Sequence, residues 1–570
     1  GSIYDEALVV PPSLWWFRLY VILWSALFLC LAQWYREPKS RPLGLWCVGL
    51  LFGLLAIRLQ APSLMSQHNH ASVRDALGAQ AESEHFLFYY DREQIDADLL
   101  PFLLEDAEFR YWELQRYLQE DPVAWKGRKI EIYIYPSAEV QFRLMGSRNT
   151  FVARPWTHQV HLRWDGYTDS VLAHEVAHIF TAPFGRGPLK MAGKGAFLID
   201  TGMVEGIAVA ADWRPEDLNP HLASAALRKM NKAPDLRSLF SAGGFWAQPS
   251  GKAYTMTGSF VRWLVEAKGI EPYKTLYRSG DFQKAYERDA AFLIMEWERY
   301  LDQIPLTERT LSMAQYRYDR RSIFQKSCAR SMAEKRRQAR VAVRSDDFER
   351  ALLLYRELEQ REAGSFRLQL QIIRVLMMLE RWEEANLAIE DSLSQEPSSA
   401  YVARLNEYKG DIEWRRGNTN DAIDSYRGCQ EMGLVDSRMR TLEAKIVGIE
   451  SSSVQRYLLD RNTRSKMLYL AMDWQSRSDN PLADYLVGVQ LHGLLEFPAV
   501  IQALEPIVLS SAILEEQRMF LLAQAYFHTG RLSESKALWK RLANGTNTRL
   551  QMESEEWLRR IVWKEEVSKK

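Results

Sequence analysis

Two histidines four residues apart have the types and the spacing for metal chemistry. The stretch VLAHEVAHIFTA, residues 171–182, contains His174, Glu175 and His178. Residues four apart lie on one face of an α-helix, so both imidazoles can bind one ion, and zinc favours such nitrogen ligands. Glu175 is a carboxylate next to the first ligand, placed to take a proton from a zinc-activated water. The pattern predicts a hydrolytic zinc site; the alternative is a pair of packed core histidines.

A catalytic zinc site usually has three protein ligands, so a third must come from elsewhere in the chain. Glu205 begins an apolar helical run within DTGMVEGIAVAADW, residues 200–213. A lone carboxylate is costly to bury without a partner, and a metal ion would be that partner. Asp212, two helical turns later on the same face, is predicted to orient a ligand histidine. Asp200 is the alternative ligand, and an exposed N-terminal helix position is the alternative for Glu205.

These motifs resemble the gluzincin metallopeptidases, which carry H-E-x-x-H on one helix and a Glu followed by Gly and small apolar residues on the next. HEVAH and VEGIAVA supply both parts, and YTMTGSFVRWLVEAKGIEPYKTLY, residues 254–277, is similar to the helix that follows in peptidase-MA-like proteins. The resemblance covers roughly residues 85–305. It implies an α+β, zincin-like metallopeptidase domain, assigned here to residues 85–310, that binds Zn²⁺ through His174, His178 and Glu205 and uses Glu175 as general base.

The resemblance also suggests further site residues. Tyr254 is a candidate for stabilising the oxyanion and His161 for contacting substrate, with structural packing as the alternative for each. The strand QVHLRW, residues 159–164, would form the cleft edge along which a substrate backbone pairs. The Gly-rich segment 183–200 is longer than the pattern requires and is predicted to be a mobile loop over the cleft.

Alternating apolar residues predict strands before the zinc helix. HFLFYY (85–90) and KIEIYIYP (129–136) have the period of two and the β-branched and aromatic content typical of strands. The stretch between them, 96–118, is predicted to be helical, and TFVARPWTHQVHLRW (150–164) to form a strand pair.

The N-terminal region contains two apolar segments. Residues 14–35 and 42–58 are predicted to span a membrane, because they are long, almost uncharged and, in the first case, flanked by Trp and Tyr. Buried core helices are the alternative. The loop 36–41 carries Arg36, Lys39 and Arg41, which the positive-inside rule places in the cytoplasm. The sequence therefore predicts a multi-pass protein of the inner membrane whose remaining domains are periplasmic, with 61–84 as a linker.

The C-terminal part shows an internal repeat of about 34 residues, the period of tetratricopeptide (TPR) repeats. DFERALLLY, RWEEANLAI, NTNDAIDSY and RLSESKALW align, and so place small and large residues at two fixed positions. The small residues are Ala351, Ala385, Ala422 and Ser535, and the large ones are Tyr355, Ile389, Tyr426 and Trp539. We expect a connector at 311–345 and an all-α TPR solenoid at 346–567, with a generic helical bundle as the alternative.

The composition gives no sign of nucleic-acid binding or of a disulfide-rich fold. Lys and Arg number 73, as do Asp and Glu, so no basic excess points to nucleic acid. Four cysteines do not form a disulfide framework. We expect a membrane-anchored zinc metalloendopeptidase of the gluzincin type that acts on extracytoplasmic proteins or peptides. Misfolded envelope proteins, a single dedicated client and peptidoglycan stem peptides all fit as substrates. Its TPR surface would recruit substrate or a protein partner. The alternative is a TPR scaffold of an envelope complex with a weakly active or inactive peptidase-like domain.

Overall fold

The computed structural model of the chain describes most of its residues and divides them into two compact units. The described residues are 13–37, 41–60, 68–95, 97–148, 150–163, 171–194, 198–241, 243–318, 329–362, 364–395, 397–432, 434–460 and 480–569. The first unit comprises Gly1–Asp200, Ile270–Asp281 and Cys328–Glu334. The second comprises Thr201–Gly269, Phe282–Ser327 and Lys335–Lys570. The described part is mostly helical, with one small mixed sheet.

The first unit begins with two apolar helices, Ser13–Arg36 (α1) and Arg41–Leu59 (α2), as predicted. Both are long and apolar enough to cross a membrane, judged by length and composition. Leu27 and Leu54 are buried where the two helices pack on each other, while most of their other apolar side chains are exposed. Helices of this kind lower their free energy when their apolar surface is transferred out of water.

A five-stranded mixed sheet forms the core of the first unit. Its spatial order is β1-β2-β3-β5-β4, with parallel pairing from β2 through β3 to β5 and antiparallel strands at both edges. The strands are Ala79–Glu82 (β1), Phe86–Tyr90 (β2), Ile130–Tyr135 (β3), Val152–Arg154 (β4) and Gln159–Arg163 (β5). The predicted strands at 85–90 and 129–136 and the predicted pair within 150–164 are confirmed.

The two faces of this sheet differ in chemistry because successive side chains of a strand point to opposite sides. On the apolar face, Phe86 contacts Tyr111 of Leu100–Leu118 (α4), and Tyr111 contacts Phe180 of Leu172–Phe180 (α7). The other face carries Tyr133 and its neighbours and is covered by His70–Leu77 (α3) and Ala138–Met145 (α6). The helix with the two histidines therefore packs on the apolar face.

Two predictions for this region are wrong. The segment 61–84 is not simply a linker, because it contains α3 and β1; the short strand AQAE is defined by its pairing with β2 and not by a pattern of its own. The strand QVHLRW does not lie at the sheet edge. Its residues 159–163 form β5, which lies between β3 and β4, so the edge strand on this side is β4.

Shorter elements complete the first unit. Two-residue strands at Gly193–Lys194 (β6) and Leu198–Ile199 (β7) pair antiparallel. The first unit also contains a 3₁₀ turn at Pro155–Thr157 and the helices Pro122–Lys126 (α5) and Ile270–Ser279 (α13).

The second unit is helical in its described part. It begins with Thr201–Ala211 (α8), Pro220–Lys229 (α9), Leu236–Leu239 (α10), Gly244–Ala247 (α11) and Ser250–Lys268 (α12). Next come Phe282–Tyr286 (α14), Ala290–Asp302 (α15), Glu308–Tyr318 (α16), Ala329–Arg344 (α17, which starts in the first unit), Phe348–Arg361 (α18), Phe366–Met378 (α19), Trp382–Ser394 (α20), Ser399–Arg416 (α21) and Thr419–Gln430 (α22). The last are Asp436–Val447 (α23), Ser452–Leu459 (α24), Pro481–Gly493 (α25), Phe497–Leu504 (α26), Ala512–His528 (α27), Leu532–Ala543 (α28) and Thr548–Val567 (α29).

The residues aligned by the 34-residue period occupy equivalent environments in these helices. All eight have almost no exposed surface; they are Ala351, Tyr355, Ala385, Ile389, Ala422, Tyr426, Ser535 and Trp539. Small residues allow the neighbouring helix to approach, as at Gly410, where an added Cβ would lie 2.6 Å from the Tyr426 ring. Between the third and fourth aligned segments, α23 and α24 are observed, and residues 461–479 lie outside the described part.

Candidate metal centre

Helix α7 holds the HEVAH motif in an apolar environment. Its nine residues are LAHEVAHIF, and every one except His174 is buried. The helix ends at Phe180, because Pro183 follows within one turn and proline cannot continue a helix. Thr181 caps this end: its hydroxyl donates to the carbonyl of His178 at 2.8 Å and accepts from the Tyr277 hydroxyl at 3.1 Å. The second histidine is thus held by contacts at the end of the helix.

The two histidines of α7 face the same side, as the spacing predicts. Their rings meet edge to face with centroids 5.1 Å apart and an interplanar angle of 87°. One ligand atom from each of His174, His178 and Glu205 lies within 4.8 Å of the others. Ligand atoms around one zinc ion, at about 2 Å each, lie on the order of 4 Å apart, so the group has the size and the donor types for that ion.

Glu205 lies in the first turns of α8, the helix TGMVEGIAVAA. The neighbouring residue, Gly206, allows α8 to pack closely on α12, because a Cβ at this position would lie 2.8 Å from Val261 and 3.1 Å from the carbonyl of Thr257. The reciprocal contact is Gly258 of α12, where a Cβ would lie 2.2 Å from Val209. Glycines in VEGIA and in TMTGSF therefore determine how closely the helix carrying Glu205 is packed.

Glu175, the predicted general base, is 7% exposed and follows His174 directly on α7. A buried carboxylate of this kind is shielded from bulk water, which strengthens its electrostatic interactions with nearby groups. Glu175 is therefore a buried carboxylate on the same helix as His174 and His178, and its role as general base stays a prediction.

Asp212 follows helix α8 and pairs with a nearby arginine. Helix α8 ends at Ala211, and the Asp212 carboxylate accepts two hydrogen bonds from Nε of Arg214, both 2.9 Å long. Asp212 also lies about 10 Å beyond Glu205 along the helix axis. Among the described residues this carboxylate is engaged by an arginine two positions later, a partner visible in the sequence as DWR, and its role in orienting a ligand histidine stays a prediction.

Asp200 and Tyr254 have other environments. Asp200 is not among the residues that bring a ligand atom to the two histidines, and its backbone N–H donates to the Ala192 carbonyl at 3.0 Å. Tyr254 is half-buried on α12, with its ring edge-on to Phe245 at 5.1 Å. Its role in oxyanion stabilisation stays a prediction.

His161 lies on the face of the sheet that carries Tyr133, which we call the polar face. The helix with His174 and His178, α7, packs on the opposite, apolar face. The hydroxyl of Tyr135 is 2.8 Å from its Nδ1, and the Tyr133 ring stacks on it with centroids 4.7 Å apart. Burial, aided by the charge of Arg154, lowers the pKa of His161 to about 3. The prediction that it contacts substrate at the zinc site is therefore wrong, because β5 directs it to the opposite side of the sheet.

The Gly-rich segment after α7 is partly ordered by backbone pairing. Arg186 bridges to Met191, and β6 pairs with β7, although residues 195–197 lie outside the described part. Gly185 and Gly193 are needed here, because a Cβ on either would lie within 2.5 Å of a carbonyl oxygen across the pair. Leu198 and Ile199 remain exposed. Whether this segment gates the site stays a prediction.

Sequence reasoning missed the residues that hold the end of α7. Tyr277 of α13 contacts Thr181, and Arg278 donates to the carbonyls of Pro183 and Phe184, both at 3.4 Å. The only signal was the stretch KTLYR, which nothing local distinguishes from any amphipathic helix.

No protein family, curated protein or solved structure matches this chain.

Proposed function

We propose that this protein is a membrane-anchored, zinc-dependent metallopeptidase of the gluzincin type. The observation that carries the proposal is the convergence of one ligand atom each from His174, His178 and Glu205 within 4.8 Å. Two imidazoles and a carboxylate are a donor set that zinc favours for catalysis, with a further position left for water. Core histidines packed for stability alone would not require a carboxylate beside both rings.

The chain's own residues have distinct roles in this proposal. His174, His178 and Glu205 would hold the ion. When bound, zinc polarises a peptide carbonyl and lowers the pKa of a water molecule toward 7. Glu175 accepts the proton of the attacking water and delivers it to the departing amine, as general base and then general acid. The apolar helix α7 fixes the relative positions of Glu175 and the two histidines.

The helical second half is proposed to be a TPR-like solenoid that binds substrate or a protein partner. The period of about 34 residues and the equal burial of the eight aligned residues support this architecture. Stacked helix pairs of this kind present an extended concave surface, which suits recognition of a peptide segment. In this arrangement the repeats recruit proteins and the zinc domain cleaves them.

We further propose that α1 and α2 form a hairpin in the inner membrane, with the rest of the chain in the periplasm. Arg36 and Arg41 flank the loop between the helices, and cytoplasmic loops are enriched in such residues. Reporter fusions at residue 38 and after residue 300 test this topology. A cytoplasmic signal from the fusion after residue 300 would exclude periplasmic clients.

The activity is tested by incubating the purified full chain with an unfolded protein substrate, with and without a zinc chelator. Cleavage should require zinc, and Glu175→Gln should lower its rate by a factor on the order of 10²–10⁴ while zinc stays bound. Zinc-loaded wild type that cleaves no unfolded protein or peptide, or a Glu175→Gln variant with unchanged rate, would argue against a peptidase.

The same variant separates the peptidase from the scaffold interpretation. A scaffold acts through its helical repeats, so Glu175→Gln should support full function in cells. A peptidase should lose function in cells with this single, nearly isosteric change. The variant also retains bound clients, which makes it suitable for identifying them by co-purification.

A further inference from the structure

The polar face of the sheet in the first unit contains a buried histidine nitrogen with no hydrogen-bond partner. His161 is 3% exposed, and its Nε2 atom has no partner among the described residues. Its other ring nitrogen, Nδ1, is 2.8 Å from the hydroxyl of Tyr135. Leaving such a group without a hydrogen bond costs free energy. A buried ring nitrogen without a hydrogen-bond partner is free to bond to a ligand that reaches it.

Arg154, which has no carboxylate partner among the described residues, lies on the same face. Arg154 of β4 is paired with Gln159 of β5, and directly opposed residues of adjacent strands point to the same side, as do Gln159 and His161 two residues on. Arg154 forms no ion pair with any described residue. After burial, its positive charge is the strongest influence on the pKa of Tyr135, His161 and His70, and it lowers all three.

Glu131, a carboxylate on this face, already has hydrogen-bond and ion-pair partners. Glu131 accepts hydrogen bonds from Tyr133 and Gln159, both 2.8 Å long, and pairs with Arg74 at 2.9 Å. Burial raises the pKa of Glu131, but these bonds outweigh it, so the carboxylate stays charged and occupied. Both oxygens of Glu131 therefore have partners other than Arg154, and the charges of Arg74 and Arg154 together exceed that of Glu131 near His161.

We propose that Arg154 and His161 bind a phosphate group on this face of the sheet. In this proposal the histidine is the tautomer whose Nδ1 accepts from the Tyr135 hydroxyl, so that Nε2–H is left as a donor, while the guanidinium of Arg154 supplies two parallel N–H donors. A phosphate has enough oxygens to accept from both groups at once. Arg154 is half-buried on the edge strand β4 and His70 is exposed, so both side chains are accessible from solvent.

The phosphate can come from solution or from a lipid headgroup. Ten residues separate the end of α2 at Leu59 from the start of α3 at His70. A chain of that length reaches at most about 35 Å, so the site stays within that distance of the membrane surface if α2 spans it. Both sources present the same oxyanion chemistry, and the test below distinguishes them.

The test is ³¹P NMR of inorganic phosphate with the full chain in a phosphorus-free detergent. Wild type should broaden the resonance, and Arg154→Gln should weaken the apparent affinity at least tenfold. Arg148→Gln is the matched control, because Arg148 is paired with Glu139 at 2.8 Å, and it should bind like wild type. Arg154→Lys, which keeps the charge but loses the forked donor, provides a second variant should Arg154→Gln not fold, and it should bind at least threefold more weakly than wild type.

The NMR results either overturn phosphate binding or identify the source of the phosphate. No broadening by wild type, or equal losses in Arg154→Gln and Arg148→Gln, would overturn the proposal, since the second result means nonspecific attraction to basic residues. Specific binding that dihexanoyl phosphatidic acid displaces supports the site with a lipid headgroup as its source. Specific binding that this lipid does not displace supports it with free phosphate.

Discussion

The rings of His174 and His178 stand edge to face at 5.1 Å on one helix, with a carboxylate oxygen of Glu205 within 4.8 Å of a ligand nitrogen of each. With a shared cation, the same geometry accounts for the spacing of the motif and for the acidic residue in the first turns of an apolar helix.

The third ligand can be tested directly. We expect Glu205→Gln to weaken zinc binding by at least tenfold, because a neutral amide replaces a charged oxygen donor, whereas Asp200→Asn should leave zinc binding unchanged. Competition with a chromophoric chelator measures both affinities. Loss of zinc in Asp200→Asn but not in Glu205→Gln would assign the third ligand to Asp200 instead.

The contact between α8 and α12 predicts that one glycine cannot be replaced. Gly258→Ala would place a Cβ 2.2 Å from Val209, and we expect a destabilisation of about 1–3 kcal/mol from overpacking. Gly428→Ala is the control: it lies within helix α22 with no atom near its added Cβ, so it should stabilise by up to about 1 kcal/mol. Thermal unfolding compares the two, and a Gly258→Ala variant as stable as Gly428→Ala would show that the helices are less close.

A neutral, buried histidine predicts a pH dependence of stability. The pKa of His161 in the folded chain is lowered to about 3 by burial and the charge of Arg154, from an ordinary value of 6.5. Because the unfolded chain binds the proton first, the contribution of His161 to stability is complete above pH 6.5 and is lost progressively as the pH falls toward 3. At pH 5 the loss is about 2 kcal/mol.

His161→Gln measures this contribution, since glutamine does not titrate and can still accept from Tyr135. The fall in thermal midpoint between pH 7 and pH 5 should be smaller in the variant than in wild type. Equal falls in both proteins would mean that His161 is not the group responsible.

The repeat positions predict opposite tolerance at two neighbouring residues of α20. Ala385→Leu inserts a large side chain at a fully buried position and should destabilise by about 1–3 kcal/mol. Leu387→Ala changes a side chain that is 65% exposed and should alter stability by less than about 0.5 kcal/mol. Urea unfolding followed by circular dichroism compares them. Tolerance of Ala385→Leu would contradict close packing at the small position of the repeat.

Elements with a strong sequence pattern could be predicted, whereas elements that depend on tertiary contacts could not. β2 and β3 follow from the alternation in HFLFYY and KIEIYIYP, and α7 from the position of HEVAH in an apolar run. β1 could not be predicted, because AQAE becomes a strand only by pairing with β2. The placement of His161 depends on which face of β5 meets α7, and the partner of Asp212 on the chain leaving the helix at Ala211; neither is encoded in residue spacing.

The central claim is that His174 and His178 bind zinc, and metal analysis of the purified full chain tests it most directly. Wild type should contain about one zinc per chain, and His178→Ala should contain none while keeping its helical circular dichroism spectrum. His158→Ala is the matched control, since this histidine lies buried beside Trp125, and it should retain the metal. A folded, metal-free wild type that takes up no added zinc, or a His178→Ala variant with full zinc content, would contradict the account.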